Sequence, residues 1–481
     1  MSEFAHRHPI PVSEIFDAAG PELAGSLEGV AQFGWIERNS QAITPGDLFI
    51  AVRGERFDGH QFVQDAANRG AAAALVSRTW FAELDTWPDI PLLVVDDPVK
   101  TLQRVAAARR RGMVLEVVGV TGSIGKTSTK EAIAAGIRQV RSTYWSPGNM
   151  NSEIGLPLSI LEIPSGTEVA VLEMGGAYAF GELALLAEIA QPSVGVVTNI
   201  YPVHLERMGS IEAIAKTKAE LVESLPASGL AVLNVDFPWV REMRTCTDAS
   251  VVTFGLSEDA DVRARNVRTL GLRGISFQLV IGSDETEVSL PLVGVHSVEM
   301  ALAAIAVGTR LGLSLEQILT GIGEPAVQVR LVPMAGPNGS QLLDDTYNAS
   351  APSVLSALRL LQEIPAGRKI AVLGDMRELG AEAAEQHKIV GEYAADVANL
   401  LVTYGPLGRQ IADAAARVRE VDGLTFGVQS FDLEQREELT QFLMSELRPG
   451  DTALLKGSRG LEMETIVDVL RTAAVSADAD A

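Results

Sequence analysis

Residues 115–131 read LEVVGVTGSIGKTSTKE, an apolar β-type run that breaks into a glycine-rich turn and then into a helix-forming segment. This order predicts a phosphate-binding loop. Gly122 and Gly125 allow the backbone to turn tightly, and the helix that begins near Lys126 points its N–H groups and its positive dipole end at phosphate oxygens. We expect Lys126 to contact the β- and γ-phosphates and the Thr127 hydroxyl to bind Mg²⁺.

The glycine spacing of this loop departs by one residue from the strict form G-x-x-x-x-G-K-S/T. That form requires glycine at position 120, where the chain has Val120, whereas Gly119 precedes Gly125 by six residues. A glycine turn that binds no ligand is the alternative interpretation. Because the turn ends in Gly-Lys-Thr directly after an apolar strand, the pattern favours a nucleotide site.

Composition narrows the class of protein. At 481 residues the chain has room for about three domains. Its 39 Lys and Arg oppose 62 Asp and Glu, and the net charge of −23 disfavours nucleic acid and anionic lipid as partners. The single cysteine, Cys246, excludes an intramolecular disulfide and indicates a reducing compartment. The N-terminus lacks a signal-peptide pattern and no run reaches the ~18 apolar residues of a spanning helix, so we expect a cytoplasmic protein without a membrane span.

Apolar strands alternate with helical segments along the chain, which predicts an α/β protein of three domains. Residues 1–107 are expected to form a small N-terminal α/β domain, 108–325 a central P-loop ATPase domain with a mostly parallel sheet, and 326–481 a C-terminal Rossmann-like domain. Because no G-x-G-x-x-G follows a strand in the C-terminal part, we do not expect it to bind NAD. The small, acidic residues 473–481 are predicted to be disordered.

Polar side chains follow two buried-type strands of the central domain. Strand 168–172 delivers Glu173 at its carboxyl end, and strand 194–197 is followed shortly by His204. Ligands of open α/β sheets lie outside the carboxyl ends of strands, so both side chains are candidates for a metal site. A hydrogen-bonded structural histidine is the alternative for His204. Asn149 and Asn151 lie in a turn-rich loop, where they either hold polar ligand groups or serve the turn alone.

Taken together, these residues resemble the Mur ligase family, ATP-dependent amide-forming enzymes of peptidoglycan synthesis. The family loop T-G-T-x-G-K-T/S is matched by Thr121-Gly-Ser-Ile-Gly-Lys-Thr127, and Glu173 and His204 resemble the family's metal-site acid and histidine. Lys218 resembles the family lysine that reacts with CO₂ to a carbamate and helps to hold a second Mg²⁺. Without the resemblance, Lys218 would be read as part of a solvated helix face.

The resemblance extends over nearly the whole chain and is strongest to members that add D-alanyl-D-alanine to UDP-N-acetylmuramoyl-tripeptide. It implies amide formation through an acyl phosphate, with ATP and two Mg²⁺ ions. We expect the protein to be a monomer. The stretches that carry it are Pro45-Gly-Asp-Leu-Phe49, Phe57-Asp-Gly-His60, Gly148-Asn-Met-Asn151, Asp344-Asp-Thr-Tyr-Asn-Ala349, Gly374-Asp-Met-Arg-Glu-Leu-Gly380 and Leu455-Lys-Gly-Ser-Arg459.

The resemblance also implies a role for each candidate residue. The implied catalytic residues are Lys126, Glu173, His204 and Lys218, and the implied metal ligands are Thr127, Glu173, His204 and Lys218. The implied nucleotide-binding residues are Gly122, Ser123, Gly125, Lys126, Thr127, Ser128, His296, Arg330, Asp345 and Tyr347. The implied substrate-binding residues are Ser40, Asn149, Asn151, Asn348, Lys456 and Arg459.

The chain departs from the family pattern in the predicted ATP site and in the predicted site for the uridine nucleotide. Asn39-Ser-Gln41 stands where the family shows Asp-Ser-Arg near the uridine nucleotide, Ile124 replaces a polar loop residue, and His296-Ser297 replaces a His-Asn pair that seats adenine. Three alternatives therefore stay open: an amide ligase with another donor or acceptor, a nucleotide-binding regulator that does not ligate, and a catalytically idle partner in a peptidoglycan-synthesis complex.

Overall fold

A computed structural model of the chain describes residues 7–54, 57–176, 179–203, 205–327, 330–365, 367–422 and 427–479. The described strands form, in chain order, sheets of five, nine and six strands, besides one short two-stranded pair. Each of the larger sheets lies within one of the three predicted α/β domains. The boundaries placed at residues 107 and 325 stay predictions.

The first unit is a five-stranded sheet, in which the edge strand β2 runs antiparallel to its neighbour β7 and the other neighbours are parallel. The strand order is β2-β7-β6-β5-β4, and a separate pair joins β1 with β3. The elements are β1 (Ile10–Pro11), α1 (Val12–Ala19), β2 (Glu22–Ala24), β3 (Gln32–Phe33), β4 (Ile36–Glu37), β5 (Leu48–Ile50), α2 (Val63–Asn68), β6 (Ala73–Ser77), α3 (Arg78–Ala82), β7 (Leu92–Val95) and α4 (Pro98–Arg111).

Helix α4 connects the first unit to the second and packs against both. Asp97 caps it by accepting hydrogen bonds from the Val99 and Lys100 N–H groups, and Pro98 occupies its first turn, where a missing N–H costs nothing. At its other end the buried Arg110 donates through Nε to the Ala190 carbonyl, at 2.8 Å. The apolar side of α4 lies in one continuous core with both units, so they pack as a single body.

The second unit is built on the nine-stranded sheet β16-β15-β14-β13-β12-β11-β8-β10-β9, parallel except at β15 and β16. Its elements are β8 (Glu116–Thr121), α5 (Lys126–Ile137), β9 (Thr143–Trp145), α6 (Gly155–Glu162), β10 (Val169–Glu173), α7 (Glu182–Ala190), β11 (Val194–Val197), α8 (Leu205–Met208), α9 (Ile211–Glu223), β12 (Leu230–Asn234), α10 (Pro238–Glu242), β13 (Ser250–Gly255), β14 (Val262–Thr269), β15 (Ile275–Ile281), β16 (Asp284–Leu290), α11 (His296–Arg310) and α12 (Leu315–Ile322).

The strand order of this sheet changes direction at β8. The chain moves outward from β8 to β9, returns through β10, and then crosses to β11 on the other side. Connections that leave neighbouring strands in opposite directions open a crevice at the carboxyl ends of those strands. The phosphate-binding loop follows β8, so it lies at this crevice.

The third unit is a six-stranded sheet of order β17-β18-β22-β19-β20-β21, parallel except for the edge strand β17. Helices alternate with its strands, as predicted for a Rossmann-like unit. The elements are β17 (Val332–Ala335), β18 (Gln341–Asp345), α13 (Ala351–Glu363), β19 (Lys369–Gly374), α14 (Ala383–Val397), β20 (Leu400–Tyr404), α15 (Gly408–Asp422), β21 (Gly427–Phe431), α16 (Arg436–Glu446), β22 (Thr452–Lys456) and α17 (Glu464–Ala479).

The prediction of a disordered tail from residue 473 is wrong as far as residue 479, because α17 continues to Ala479. Ile466, Val467 and Leu470 bury the first part of this helix in the core of the third unit. Alanine has the highest helix propensity, so the alanine-rich continuation extends a helix that is already nucleated.

Two glycines at the contact between α5 and α12 give opposite predictions. A Cβ on Gly321 would lie 2.0 Å from the carbonyl oxygen of Ala135, whereas a Cβ on Gly136 would meet Ile318 at an ordinary 3.4 Å. We expect Gly321→Ala to destabilise the protein by about 1–3 kcal/mol. Gly136→Ala, the matched control, should be neutral or up to about 1 kcal/mol more stable, since it removes a helix-interior glycine. Urea unfolding midpoints that coincide for the two variants would contradict this packing.

Candidate active site

The loop between β8 and α5 has the backbone that its glycines predict. Gly122 and Gly125 have φ angles of 144° and 80°, in the region that favours glycine. A Cβ on Gly122 would lie 2.0 Å from Thr198 Oγ1. The loop is held by the end of β11, because Asn199 accepts from the Ile124 N–H through Oδ1 at 2.8 Å. The apolar residue at 124 therefore leaves the loop's backbone contacts intact.

Lys126 and Thr127, the first residues of α5, face the two sides of this loop. Lys126 Nζ donates to the carbonyl oxygens of Gly122 at 2.8 Å and Ser123 at 3.2 Å. Burial lowers the pKa of Lys126, against the opposing charge of Glu173. The Thr127 hydroxyl donates to Glu173 Oε2 at 2.8 Å. Ammonium, hydroxyl and carboxylate thus meet where the phosphates are predicted to bind.

Glu173 is fixed from both sides at the end of β10. Its backbone N–H donates to Ser146 Oγ at 3.0 Å, and Asn151 Nδ2 donates to Glu173 Oε1 at 2.6 Å. Each carboxylate oxygen therefore has a partner, Thr127 for one and Asn151 for the other. In this structure Asn151, a predicted substrate residue, orients the predicted metal-binding acid.

The donor set suits Mg²⁺. Among the described residues no three or more His, Cys, Asp and Glu side chains form a group that could hold a metal ion. Mg²⁺ does not need such a cage, because it keeps several waters and binds one or two carboxylates together with substrate phosphates. The adjacent oxygens of Thr127 and Glu173 fit that requirement. His204, another of the predicted ligands, lies outside the described residues.

Lys218 lies in the same crevice and is not on a solvated face. It is 4% exposed, and its Nζ donates to the carbonyl oxygens of Gly175 at 2.7 Å and Gly176 at 2.6 Å. Burial, followed by the charge of Lys126, lowers the pKa of Lys218 to about 7. Lys216, two residues away on α9, is exposed. The helix thus presents one of the pair to the site and the other to solvent.

The third unit contributes a second group of charged side chains. Lys456 and Asp345 form a buried ion pair of 2.6 Å, and Lys456 also donates to the Asn348 carbonyl at 2.9 Å. The Arg330 guanidinium stacks 3.7 Å from the centre of the Tyr347 ring. Strand β18 delivers Asp345 at its carboxyl end, and β22 delivers Lys456 beside it, as their parallel register requires.

His296 and Arg459 connect this group to the central unit. Burial lowers the pKa of His296, which begins α11 and feels the charges of Asp345, Lys456 and Arg330. Arg459 Nη1 donates to Asn149 Oδ1 at 2.9 Å. The predicted nucleotide and substrate residues of the second and third units therefore face one another.

Ser40 does not join this group in the described contacts. It is buried at the start of a short 3₁₀ turn of the first unit, and its hydroxyl lowers the pKa of the Asp65 carboxyl by hydrogen bonding. Gln41, which stands where the family shows arginine, donates to Asp65 at 3.0 Å and accepts from Arg69 Nη2 at 2.7 Å. An arginine is thus present beside Gln41, but it is Arg69, at the end of α2, and not a residue at position 41.

Models of three Mur ligase domains match the chain. Residues 34–110 match "Mur ligase family, catalytic domain", 120–308 match "Mur ligase middle domain" and 329–459 match "Mur ligase, glutamate ligase domain". A UDP-N-acetylmuramoyl-tripeptide–D-alanyl-D-alanine ligase of Bacillus subtilis is 34% identical over 90% of this chain and 92% of its own length. The Escherichia coli ligase of the same name is 34% identical over 96% of this chain and 98% of its own.

The chain belongs to the Mur ligase family. Solved structures agree with this assignment. MurF from Acinetobacter baumannii matches with a TM-score of 0.81 and 28% identity, over 97% of this chain and 100% of that chain. MurF ligase from Thermotoga maritima, solved in complex with ADP, matches with a TM-score of 0.75 and 29% identity, over 92% of this chain and 98% of that one.

The comparisons confirm the predicted family, the three-domain α/β architecture and the enzyme class, an ATP-dependent ligase. Among the described helices, none has the length and apolar character needed to cross a membrane. The individual site residues stay predictions. Sequence reasoning did not single out Lys130 or Asn199, whose contacts are made with residues distant in sequence.

The loop after β19, residues 375–380, is held in place by buried polar groups. Asp375 Oδ1 accepts from the N–H groups of Leu407 and Gly408, at 2.9 and 2.8 Å. The Met376 N–H donates to Nε2 of the fully buried His387 at 3.0 Å. This fixes the loop where a Cβ on Gly380 would lie 3.2 Å from Glu206 of the central unit.

The buried Lys456–Asp345 pair predicts a large loss of stability when one partner is removed. Lys456→Met would leave a buried carboxylate without its cation, which costs about 3–5 kcal/mol. The double variant Lys456→Met with Asp345→Leu should recover most of that loss, because no charge is then left unpaired. Urea unfolding of the three proteins measures both effects. If the double variant is as unstable as the single one, the pairing is not what stabilises this position.

His387 predicts a pH dependence of stability. Burial lowers the pKa of His387 below its ordinary 6.5, and Nδ1 donates to the Ala383 carbonyl at 2.6 Å. The neutral ring is therefore the folded form, so its stabilisation is complete above about pH 6.5 and is lost as pH falls below that value. His387→Gln should cost about 1–3 kcal/mol at pH 8 and progressively less towards pH 5.

The measurement is the unfolding free energy of both proteins across that pH range. His296 titrates in the same direction in both, so the difference between the two proteins isolates His387. A difference that stays constant from pH 8 to pH 5 would contradict the assignment of a neutral His387.

Proposed function

We propose that the chain joins D-alanyl-D-alanine to the terminal carboxylate of UDP-N-acetylmuramoyl-tripeptide, with conversion of ATP to ADP and phosphate, as a cytoplasmic monomer in peptidoglycan synthesis. The relatives named for this reaction match over nine-tenths or more of both chains. The observation that carries the proposal is the convergence of Lys126, Thr127, Glu173 and Lys218 on one crevice, faced by Asp345, Lys456 and Arg459.

The phosphate-binding loop supplies the charge stabilisation for the first step. The tripeptide carboxylate attacks the γ-phosphorus, the new O–P bond forms as the bond to ADP breaks, and an acyl phosphate results. Lys126 and the N–H groups at the start of α5 neutralise the charge that moves onto the phosphate oxygens. Phosphoryl transfer requires mainly such positioning and neutralisation from the protein.

Two Mg²⁺ ions complete the proposed site. Thr127 and Glu173 would hold the first, and His204 and a carbamate of Lys218 the second. When bound, Mg²⁺ polarises phosphoryl oxygens as a Lewis acid. Only an uncharged amine adds CO₂, and the pKa of about 7 gives Lys218 a substantial uncharged fraction at neutral pH. Its contacts with the Gly175 and Gly176 carbonyls hold the amine at the crevice.

The third unit contributes residues to the second step, in which the amide bond forms. The amine of D-alanyl-D-alanine attacks the acyl carbonyl, a tetrahedral intermediate forms, and phosphate leaves as the amide is made. Arg330, Tyr347, Asp345 and His296 are proposed to enclose the nucleotide, and Asn149, Asn348, Lys456 and Arg459 to bind the peptide substrates. Because these residues come from two units, the site is complete only when both units approach each other.

A related ligase with another acyl donor is the second candidate. It is favoured by residues 39–41, where Gln41 holds Arg69 instead of being an arginine itself. Ser40 is buried on Asp65 in this arrangement, so the expected uridine contact would have to come from a neighbouring group. A panel of donors with and without uridine separates the two candidates.

The test measures phosphate release from ATP with UDP-N-acetylmuramoyl-tripeptide, with and without D-alanyl-D-alanine, and the mass of the product. Release that requires both substrates, with a product heavier by one dipeptide, is the expected result. Lys126→Ala should lower kcat at least about 100-fold, because a donor to the developing charge is lost. Lys216→Ala, on an exposed position, should retain activity.

Three results would contradict the proposal in different ways. Product formation only from a donor without uridine would favour the second candidate. ATP hydrolysis that no peptide substrate changes would indicate a nucleotide-binding regulator. Absence of nucleotide binding by calorimetry would indicate a structural partner.

A further inference from the structure

Lys130 is a buried cation that the proposed mechanism does not use. It lies on α5 one turn after Lys126, and none of its side chain is exposed. Lysine is almost never fully buried unless its charge is paired. A lysine in this position therefore needs partners inside the protein, and they show what it holds.

The Lys130 ammonium has three partners inside the protein. Nζ donates to the carbonyl oxygens of Ser146 at 2.5 Å and Gly148 at 3.1 Å, and it pairs with Glu131 Oε1 at 3.0 Å. An ammonium has three N–H donors and no acceptor, so this set satisfies it. Two of the three bonds reach the same turn, residues 146–151, here called the asparagine turn.

The asparagine turn contacts both halves of the site. Ser146 Oγ accepts from the Glu173 N–H at 3.0 Å, and the Asn151 side chain donates to the Glu173 carboxylate at 2.6 Å. Asn149 accepts from Arg459 of the third unit at 2.9 Å. The position of this turn therefore sets the orientation of Glu173 and the place where the third unit meets the second.

Among the described contacts, no other hydrogen bond joins the turn to α5. Gly148 has a φ angle of 52°, and a Cβ there would meet nothing within 4 Å. Its sequence, Ser-Pro-Gly-Asn-Met-Asn, offers Met150 as the large apolar side chain that packs into a core. Two carbonyl dipoles that point at one place repel each other unless a cation lies between them, and Lys130 provides that cation.

We propose that Lys130 is a positioning residue of this ligase: it ties the asparagine turn to the phosphate-loop helix, so that Asn149 and Asn151 are in place when the peptide substrate binds. The effect on ligation rests on the proposed function, whereas the fixing of the turn does not. Lys130 acts through the turn and touches neither the predicted phosphate site nor the reacting atoms.

Hydrogen exchange by mass spectrometry tests the fixing of the turn in the full chain without substrates. Lys130→Met keeps the length of the side chain and removes the ammonium. Amides of residues 146–152 and 173–175 should exchange at least about tenfold faster in this variant, since the bonds of a charged donor are lost. Glu131→Gln, the matched control, keeps both carbonyl contacts and should exchange like wild type. Unchanged exchange in Lys130→Met would overturn the proposal.

Kinetics test the consequence. Lys130→Met should lower kcat/KM for the muramoyl tripeptide about tenfold or more, while the Kd for ADP, measured by calorimetry, changes by less than about twofold. Lys130→Gln, which keeps an amide donor, should fall between. Combined with Asn151→Ala, Lys130→Met should add less than its own single effect, because both act through one turn.

The exchange and kinetic experiments together distinguish failure of the positioning role from failure of the proposed function. A loss of ADP affinity as large as the loss for the donor would make Lys130 part of the nucleotide site and overturn the positioning role. If wild type ligates nothing but Lys130→Met still loosens the turn, the proposed function fails and the positioning role stands. If Lys130→Met does not fold, Lys130→Gln serves in both arms, and wild-type exchange together with wild-type kinetics in that variant overturns the proposal.

Discussion

The register between β8 and β10 is the constraint on which the site depends. Glu173 pairs with Val120 across these parallel strands, so the carboxylate emerges beside the loop that begins after Thr121. A slip of one residue would turn Glu173 to the other face of the sheet and separate it from Thr127. Two hydrogen bonds to the Glu173 carboxylate, one from Thr127 and one from Asn151, then fix the last rotation of the side chain.

Around that register the protein places four cationic side chains, two buried and two partly buried, in a chain that is strongly acidic overall. These side chains lie in the crevice between the second and third units and belong to Lys126, Lys218, Lys456 and Arg330. Burial is the first cause that lowers the pKa of each. Such desolvation costs free energy unless an opposite charge is present. Lys456 forms a close ion pair with Asp345, and the negative charge of Asp345 also acts on Arg330. Four cations in one crevice attract anions, in agreement with the nucleotide phosphates and peptide carboxylate proposed as ligands.

The sequence was informative where one segment determines its own structure. The strand 194–197 begins and ends as apolar patterning predicts, and Glu173 lies at a strand end because buried β-runs are easy to locate. It was uninformative where the partner is distant. The roles of Lys130, Asn199 and Arg459 depend on residues 16, 75 and 310 positions away, and local periodicity carries no information about such pairs. The prediction of disorder for residues 473–479 was wrong for another reason. Small and acidic residues resemble a disordered segment, but here they continue a helix whose first part is buried.

The cores indicate which parts of the molecule move together. Apolar side chains of the first and second units form one continuous core through α4, whereas the third unit has cores on both faces of its sheet, one of which includes only Val293 among the buried residues of the second unit. Close-packed cores are not continuously deformable, so the first two units should move as one body. The contact between Asn149 and Arg459 is polar and lies at the crevice, and a hydrogen bond of this kind is exchanged with water at small net cost. We therefore expect opening and closing to be a movement of the third unit, which carries Lys456 and Arg459, two of the residues proposed to bind the peptide substrates.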